Sequence, residues 1–155
     1  MFCQVFLCNS AFAVSEEKVN AVRENCAGIL EVLKSVQRED SVVRTHIGPY
    51  YNNVLEKFIK PLNSRLVENN MFDTGLLNNQ SNFVTAQEVF RADYSEYQRE
   101  LSELTAMDCV ADPAGFYEKL ESVRERRRVV SLSVSEMRGL VSEQMTLVEG
   151  LRDRI

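Results

Sequence analysis

Tryptophan is absent from this 155-residue chain, histidine occurs once, and there are only three prolines and six glycines. Sparse Pro and Gly, with long stretches free of turn dipeptides, argue against a β-sandwich or a parallel α/β sheet. No run of about 18 apolar residues occurs, which excludes a membrane-spanning helix. Basic residues are in the minority, 18 Lys and Arg against 23 Asp and Glu for a formal charge of −5, so nucleic acid is not an expected partner. No Ser-centred elbow, glycine-rich phosphate loop or zinc-peptidase motif is present. His46 precedes Ile47-Gly48-Pro49 with no nucleophile motif beside it and reads as a surface or helix-end residue. Adjacent acids such as Glu16-Glu17 and Glu39-Asp40 point to different helix faces and do not converge on one atom. The chain is therefore read as a non-enzyme with no cofactor.

What is present is helical text. Apolar residues recur in alternating steps of three and four, the mark of helices packed along a seam. The first stripe runs Val22, Cys26, Ile29, Leu33, Val36, Asp40, Val43, Ile47, Tyr50, Val54, and keeps its phase past Gly48-Pro49. Leu55, Ile59, Leu62 and Leu66 continue on a shifted face, with kinks expected at Pro49 and Pro61 and an end near Glu68-Asn69-Asn70. Residues 69–82, rich in Asn with Asp73-Thr74-Gly75 inside, read as a connector. A second stripe follows, Phe83, Gln87, Phe90, Tyr94, Tyr97, Leu101, Leu104. Asp112-Pro113 is the clearest helix start, an N-cap followed by Pro in the first turn. The third stripe runs from Phe116 through Leu120, Val123, Arg127, Val130, Val134, Met137, Val141, Gln144 and Val148 to Ile155. The fold class is all-α: an elongated three-helix, coiled-coil-like bundle with a long kinked first helix, an antiparallel second helix and a third reaching the C-terminus. A 43-residue third helix makes a rod of roughly 60–65 Å and places Ile155 level with Asn69.

Residues 1–14, MFCQVFLCNSAFAV, carry no charge, and charged helical text begins at Ser15-Glu16-Glu17-Lys18. Ala11-Phe12-Ala13 fits the small-x-small pattern of signal-peptide cleavage, although the basic region is missing and the apolar stretch is short and interrupted. A start codon assigned too far downstream would explain both defects; a buried N-terminal segment of a cytoplasmic bundle is the alternative. Residues 1–13 are read as a signal-peptide remnant and 14–155 as a single helical-bundle domain. Cleavage there removes Cys3 and Cys8 and leaves Cys26 and Cys109. In an exported chain an even remainder invites one disulfide; two free buried thiols are the alternative. A four-ligand zinc site is not expected from one His and no C-x-x-C.

Counting along the seams predicts one polar layer. If Cys26 meets Cys109 at one end, fourteen residues on from Cys26 is Asp40, fourteen on from Pro113 is Arg127, and fourteen back from Cys109 is Ser95, between Tyr94 and Tyr97. Asp40, Arg127 and one tyrosine hydroxyl should then share a level, as a charge within a seam requires; snorkelling of both charges to solvent is the alternative. Arg124, Arg126, Arg127 and Arg128 form the densest basic cluster, interleaved with Glu118, Glu121 and Glu125. Mixed signs suit a solvated face, and the functional reading is contact with an anionic polymer or lipid headgroups. Leu132, Leu140 and Leu147 widen the apolar face of the third helix and suggest a homo-oligomer.

Asn25-Cys26, Asp40 with Arg44, Asn63-Ser64-Arg65, Asp93-Tyr94 with Tyr97, Asp108-Cys109, and Pro113 with Phe116-Tyr117, Leu120, Arg124 and Arg127 form a pattern across residues 25–128. It resembles a group of exported or membrane-tethered helical proteins of ultrasmall bacteria of the candidate phyla radiation, Saccharibacteria-like, to which no activity is assigned. The resemblance implies an extracytoplasmic location and a Cys26–Cys109 bridge. Two departures stand out: Asp112 occupies the place of a Gln before the proline, and the N-terminus is shorter than a complete export signal, which leaves secreted and tethered forms both open. The expected role is structural or adhesive, in the cell envelope, through a protein or cell-surface partner. The alternatives are a cytoplasmic coiled coil completed by a partner helix, and a small-ligand or peptide binder with a hollow near Gly48-Pro49.

Overall fold

The computed structural model describes residues 15–153. The signal-remnant reading, Cys3 and Cys8, and the placement of Ile155 lie outside those residues. Among the described residues all regular structure is helical: α1 (Glu16–Val54), a π-helical turn (Leu55–Ile59), α2 (Lys60–Glu68), α3 (Thr74–Ala106) and α4 (Pro113–Arg152). The residues joining α1, the π turn and α2 are all in the right-handed helical region, so these three make one continuous rod. With α3 and α4 it forms an all-α, three-rod bundle.

The sites where rods stop follow local chemistry. The first ends in a paired-bond cap: Asn70 takes a left-handed φ of 58°, its N–H bonds the Val67 carbonyl, and the Met71 N–H bonds the Leu66 carbonyl. Asn is one of the few residues that adopts this conformation at low cost. Asp73 caps α3 by accepting from the Leu76 N–H at 3.0 Å, and Asp112 caps α4 by accepting from the Gly115 N–H at 3.0 Å. Between α3 and α4 the Asp108 carboxylate accepts from the N–H groups of Val110 and Ala111 and fixes the turn.

Two expectations are corrected. The Asn-rich stretch is not a connector up to residue 82: α3 begins at Thr74, and its early residues Leu76 and Asn79 are buried. Asn79 is held because its amide donates to the Leu140 carbonyl and to Glu143 of α4, partners that no local pattern reveals. The first stripe also does not keep its phase. Tyr50 and Val43 are exposed, and Tyr51 is buried instead, followed by Leu55, Ile59 and Asn63. Steps of four repeated this way suit a rod locally wider than 3.6 residues per turn, and the π turn supplies that: the Lys60 N–H bonds the Leu55 carbonyl, five residues back. The widened turn lies just before Pro61, whose ring would clash with a carbonyl four residues earlier in a regular helix. Pro49, by contrast, stands inside α1, which runs through it.

One contiguous core joins the three rods, from Val22 and Leu33 through Tyr51 and Ile59 on the first, Phe83 to Leu104 on α3, and Phe116 to Met137 on α4. Helices α3 and α4 pack as an antiparallel hairpin with a second seam of polar residues. Asp93 accepts from the Ser133 hydroxyl at 2.5 Å, and Glu100 accepts from Ser122 at 2.6 Å and from the Arg126 Nε–H at 2.9 Å. Leu140 packs against the core and Leu147 lies against Gly75, both half-buried. Leu132 remains 55% exposed.

Candidate functional site

Cys26 of α1 and Cys109 of the α3–α4 turn sit at disulfide distance and are joined, with their Cα atoms 5.7 Å apart and a sequence separation of 83. Cys109 is fully buried. The bridge fixes the end of the first rod against the α3–α4 turn. Lys18 of α1 also reaches α4, with Nζ 4.8 Å from the centre of the Tyr117 ring.

Farther along, the structure brings Asp40, Arg127, Tyr94 and Tyr97 together. The Arg127 guanidinium grips the Asp40 carboxylate with two bonds of 2.9 and 3.0 Å. The Tyr97 hydroxyl donates to the same carboxylate at 2.6 Å, and the Tyr94 hydroxyl donates to the Asp40 backbone carbonyl at 3.2 Å. The Asp40 side chain is 15% exposed and that of Arg127 55%, so the layer is dry at the carboxylate and wet at the cation. Burial first, then the adjoining carboxylate, pushes the Tyr97 hydroxyl well above the usual phenol range. A bidentate Arg, a buried phenol and a carboxylate satisfy one another and form a structural brace.

Above and below this brace the first rod and α4 stand apart. One hollow of about 590 Å³ is bordered by Val32, Val36 and Leu120, with Arg124 and Arg127 at its edge. A second of about 590 Å³ continues from it, between Arg44 and Val43 of α1 and Arg124, Arg128 and Val134 of α4, over the Phe90 and Tyr94 rings. A third of about 410 Å³ lies nearer the C-terminus, lined by Val54, Phe58, Val141, Met145 and Val148. They follow one side of the bundle and define an open groove. Large apolar side chains remain exposed at it: Val32, Val43, Phe58 and Met145 are each at least half exposed.

Helix α1 lifts from the hairpin along this stretch, since no residue from Ser41 to Tyr50 is buried. On the opposite side of α1 a hollow of about 610 Å³ opens beside Gly48 and Pro49, over Phe90, Tyr94 and Met137. His46 is exposed, with its ring nitrogen Nδ1 2.8 Å from the Val42 carbonyl. The basic cluster divides. Arg126 turns to Glu100 in the hairpin seam, Arg127 to Asp40, and Arg124 and Arg128 pair with Glu121 and Glu125 three residues back.

The sequence reading missed Glu100, which is 4% exposed. The Ser122 hydroxyl bond, then Arg126, with Lys119 nearby, lowers its carboxyl to about 2 against the cost of burial. A seven-residue repeat Asn79, Ala86, Asp93, Glu100 on α3, beside the main stripe, was the available signal. Among the described residues no group of three His, Cys, Asp or Glu can hold a metal, and no helix is long and apolar enough to cross a membrane. Comparisons with protein-family models, curated proteins and solved structures give no match.

Proposed function

We propose that this protein is an extracytoplasmic interaction module of the cell envelope, non-catalytic, working by presenting the groove between the first rod and α4 to a protein partner. The groove itself carries the reading: Val32, Val43, Phe58 and Met145 are each at least half exposed along it. Contiguous apolar surface of this kind marks an interaction site more often than a bare monomer surface. Export is supported by the Cys26–Cys109 bridge, because such bridges persist in oxidising compartments. The resemblance to exported Saccharibacteria-like helical proteins points the same way.

The test is the intact mass of the protein recovered from its native host, with thiols alkylated before any reduction, together with protease accessibility on unbroken cells. A chain that begins near Val14, resists alkylation at Cys26 and Cys109 and is shaved from intact cells supports the reading. A chain that keeps Met1 with free thiols and is protected within the cell overturns export and leaves a cytoplasmic coiled coil completed by a partner helix. The hollow beside Gly48 and Pro49 favours a second reading, a small-ligand or peptide binder. Its test is a thermal-shift screen in which only binders lose effect on Gly48→Leu.

A further inference from the structure

We infer that the groove between the first rod and α4 receives one amphipathic helix of a partner protein, acidic toward one end and apolar toward the other, which completes a four-helix bundle. The inference rests on the interaction-module reading and specifies the partner's chemistry.

Three observations carry it. The first is length. From Leu120 to Glu149, the α4 residues that border the hollows, the groove extends about 43 Å at ~1.5 Å per residue. That is about four heptads of helix, far longer than a small molecule requires. The second is charge. Arg44, Arg124, Arg127 and Arg128 border the middle hollow and Asp40 is the carboxylate among them, although the chain as a whole is acidic. Arg44 rests on the Tyr94 ring at 5.1 Å. The local pairs of Arg124 and Arg128 with Glu121 and Glu125 join side chains at least half exposed, and such pairs exchange readily for a better carboxylate. Two copies meeting at this hollow would oppose arginine to arginine, which disfavours a second copy as the occupant.

The third is an orphaned amide. Gln144 is 8% exposed, borders the apolar hollow, and neither its Nε2 nor its Oε1 has a hydrogen-bond partner among the described residues. A buried amide left so is costly, and a polar residue in an otherwise apolar seam is a common device for fixing a partner's register. The partner helix therefore carries carboxylates facing Arg124 and Arg128. About 27 Å farther along it, the rise of the 18 residues from Arg126 to Gln144, it carries one amide within an apolar stretch.

The experiment uses the oxidised full chain and two synthetic 28-residue helices labelled for fluorescence anisotropy. Both have a Leu stripe with a single Gln in one half; one carries four Glu flanking the other half, and the second carries Lys there. The Glu peptide should bind at least tenfold tighter than the Lys peptide, weaken with salt, and lose this preference to the Lys peptide on Arg124→Glu/Arg128→Glu. Gln144→Leu should melt no lower than the parent yet bind the Glu peptide at least fivefold more weakly. Phe58→Glu/Met145→Glu should abolish binding with helicity unchanged. Equal binding of the two peptides, no inversion, or no binding to a folded chain overturns the inference. So does sedimentation showing a dimer that Phe58→Glu/Met145→Glu dissolves. An oxidised, surface-exposed chain in the native host alongside any of these results leaves the envelope role standing and removes only the acidic helix.

Discussion

Reducing the Cys26–Cys109 bridge should unfasten the first rod before the hairpin. With the cysteines separated by 83 in sequence, loop-closure arithmetic gives about 4.5 kcal/mol of stabilisation at 25 °C. The α3–α4 hairpin keeps its own core and its Asp93–Ser133 and Glu100–Arg126 bonds without the bridge. Helix α1 has less to fall back on: between Glu16 and the Asp40 brace its buried residues are Val22 and Leu33. The loss should therefore concentrate in α1 between Glu16 and Val36. A full 4.5 kcal/mol corresponds to about two-thousandfold in the unfolding equilibrium, and to a urea midpoint lower by roughly 2 M for a slope near 2 kcal/mol per molar. Hydrogen exchange with and without reductant, and on Cys26→Ser/Cys109→Ser, reads both quantities. Faster exchange confined at first to the α1 amides, with α3 and α4 still protected, is the expected pattern. A midpoint shift equivalent to less than about 1 kcal/mol, or uniform loss of protection in all three rods, would refute the reasoning.

Asp40→Ala should cost about 2–4 kcal/mol, since it leaves a buried Tyr97 hydroxyl and the Arg127 guanidinium without their acceptor. Tyr97→Phe should cost about 1–2 kcal/mol, and the double variant less than the sum by at least about 1 kcal/mol in urea titrations; additivity would deny the brace. Gly115→Ala should destabilise by about 1 kcal/mol because its new methyl meets the Asp112 carboxylate that caps α4. Gly139→Ala, with open space at its Cβ, should stabilise by about 0.5–1 kcal/mol, and calorimetry separates the two signs. Glu100 has its carboxyl lowered to about 2 in the folded chain, so its contribution is full above its unfolded value and falls away as the pH drops toward 2. Stability measured from pH 6 to 2 should decline less steeply in Glu100→Gln than in the parent, and parallel curves would contradict the assignment.

What depends on local geometry was legible in the residues alone. Helical periodicity fixed three rods and their order, Asp112-Pro113 fixed the start of α4, and Cys26 and Cys109 stood where a bridge joins α1 to the turn. Asp40 and Arg127, at equal distances along two seams from that bridge, could be placed at one level because α1 and α4 run parallel with nearly the same rise per residue. Tyr51 replacing Tyr50 in the core, the burial of Asn79 and Glu100 and the groove beside α4 were decided by tertiary structure alone. Tyr51 enters the core against the Phe83 ring of α3, a contact that no stripe count on one helix reveals. Asn79 and Glu100 are polar residues whose burial depends on the Leu140 carbonyl, Glu143, Ser122 and Arg126 arriving from α4. The groove follows the gap between the first rod and α4, from Val32 and Val36 past Val43 to Val54 and Phe58. A stripe reports which face of one helix avoids water, whereas the gap left between two helices depends on how all three pack.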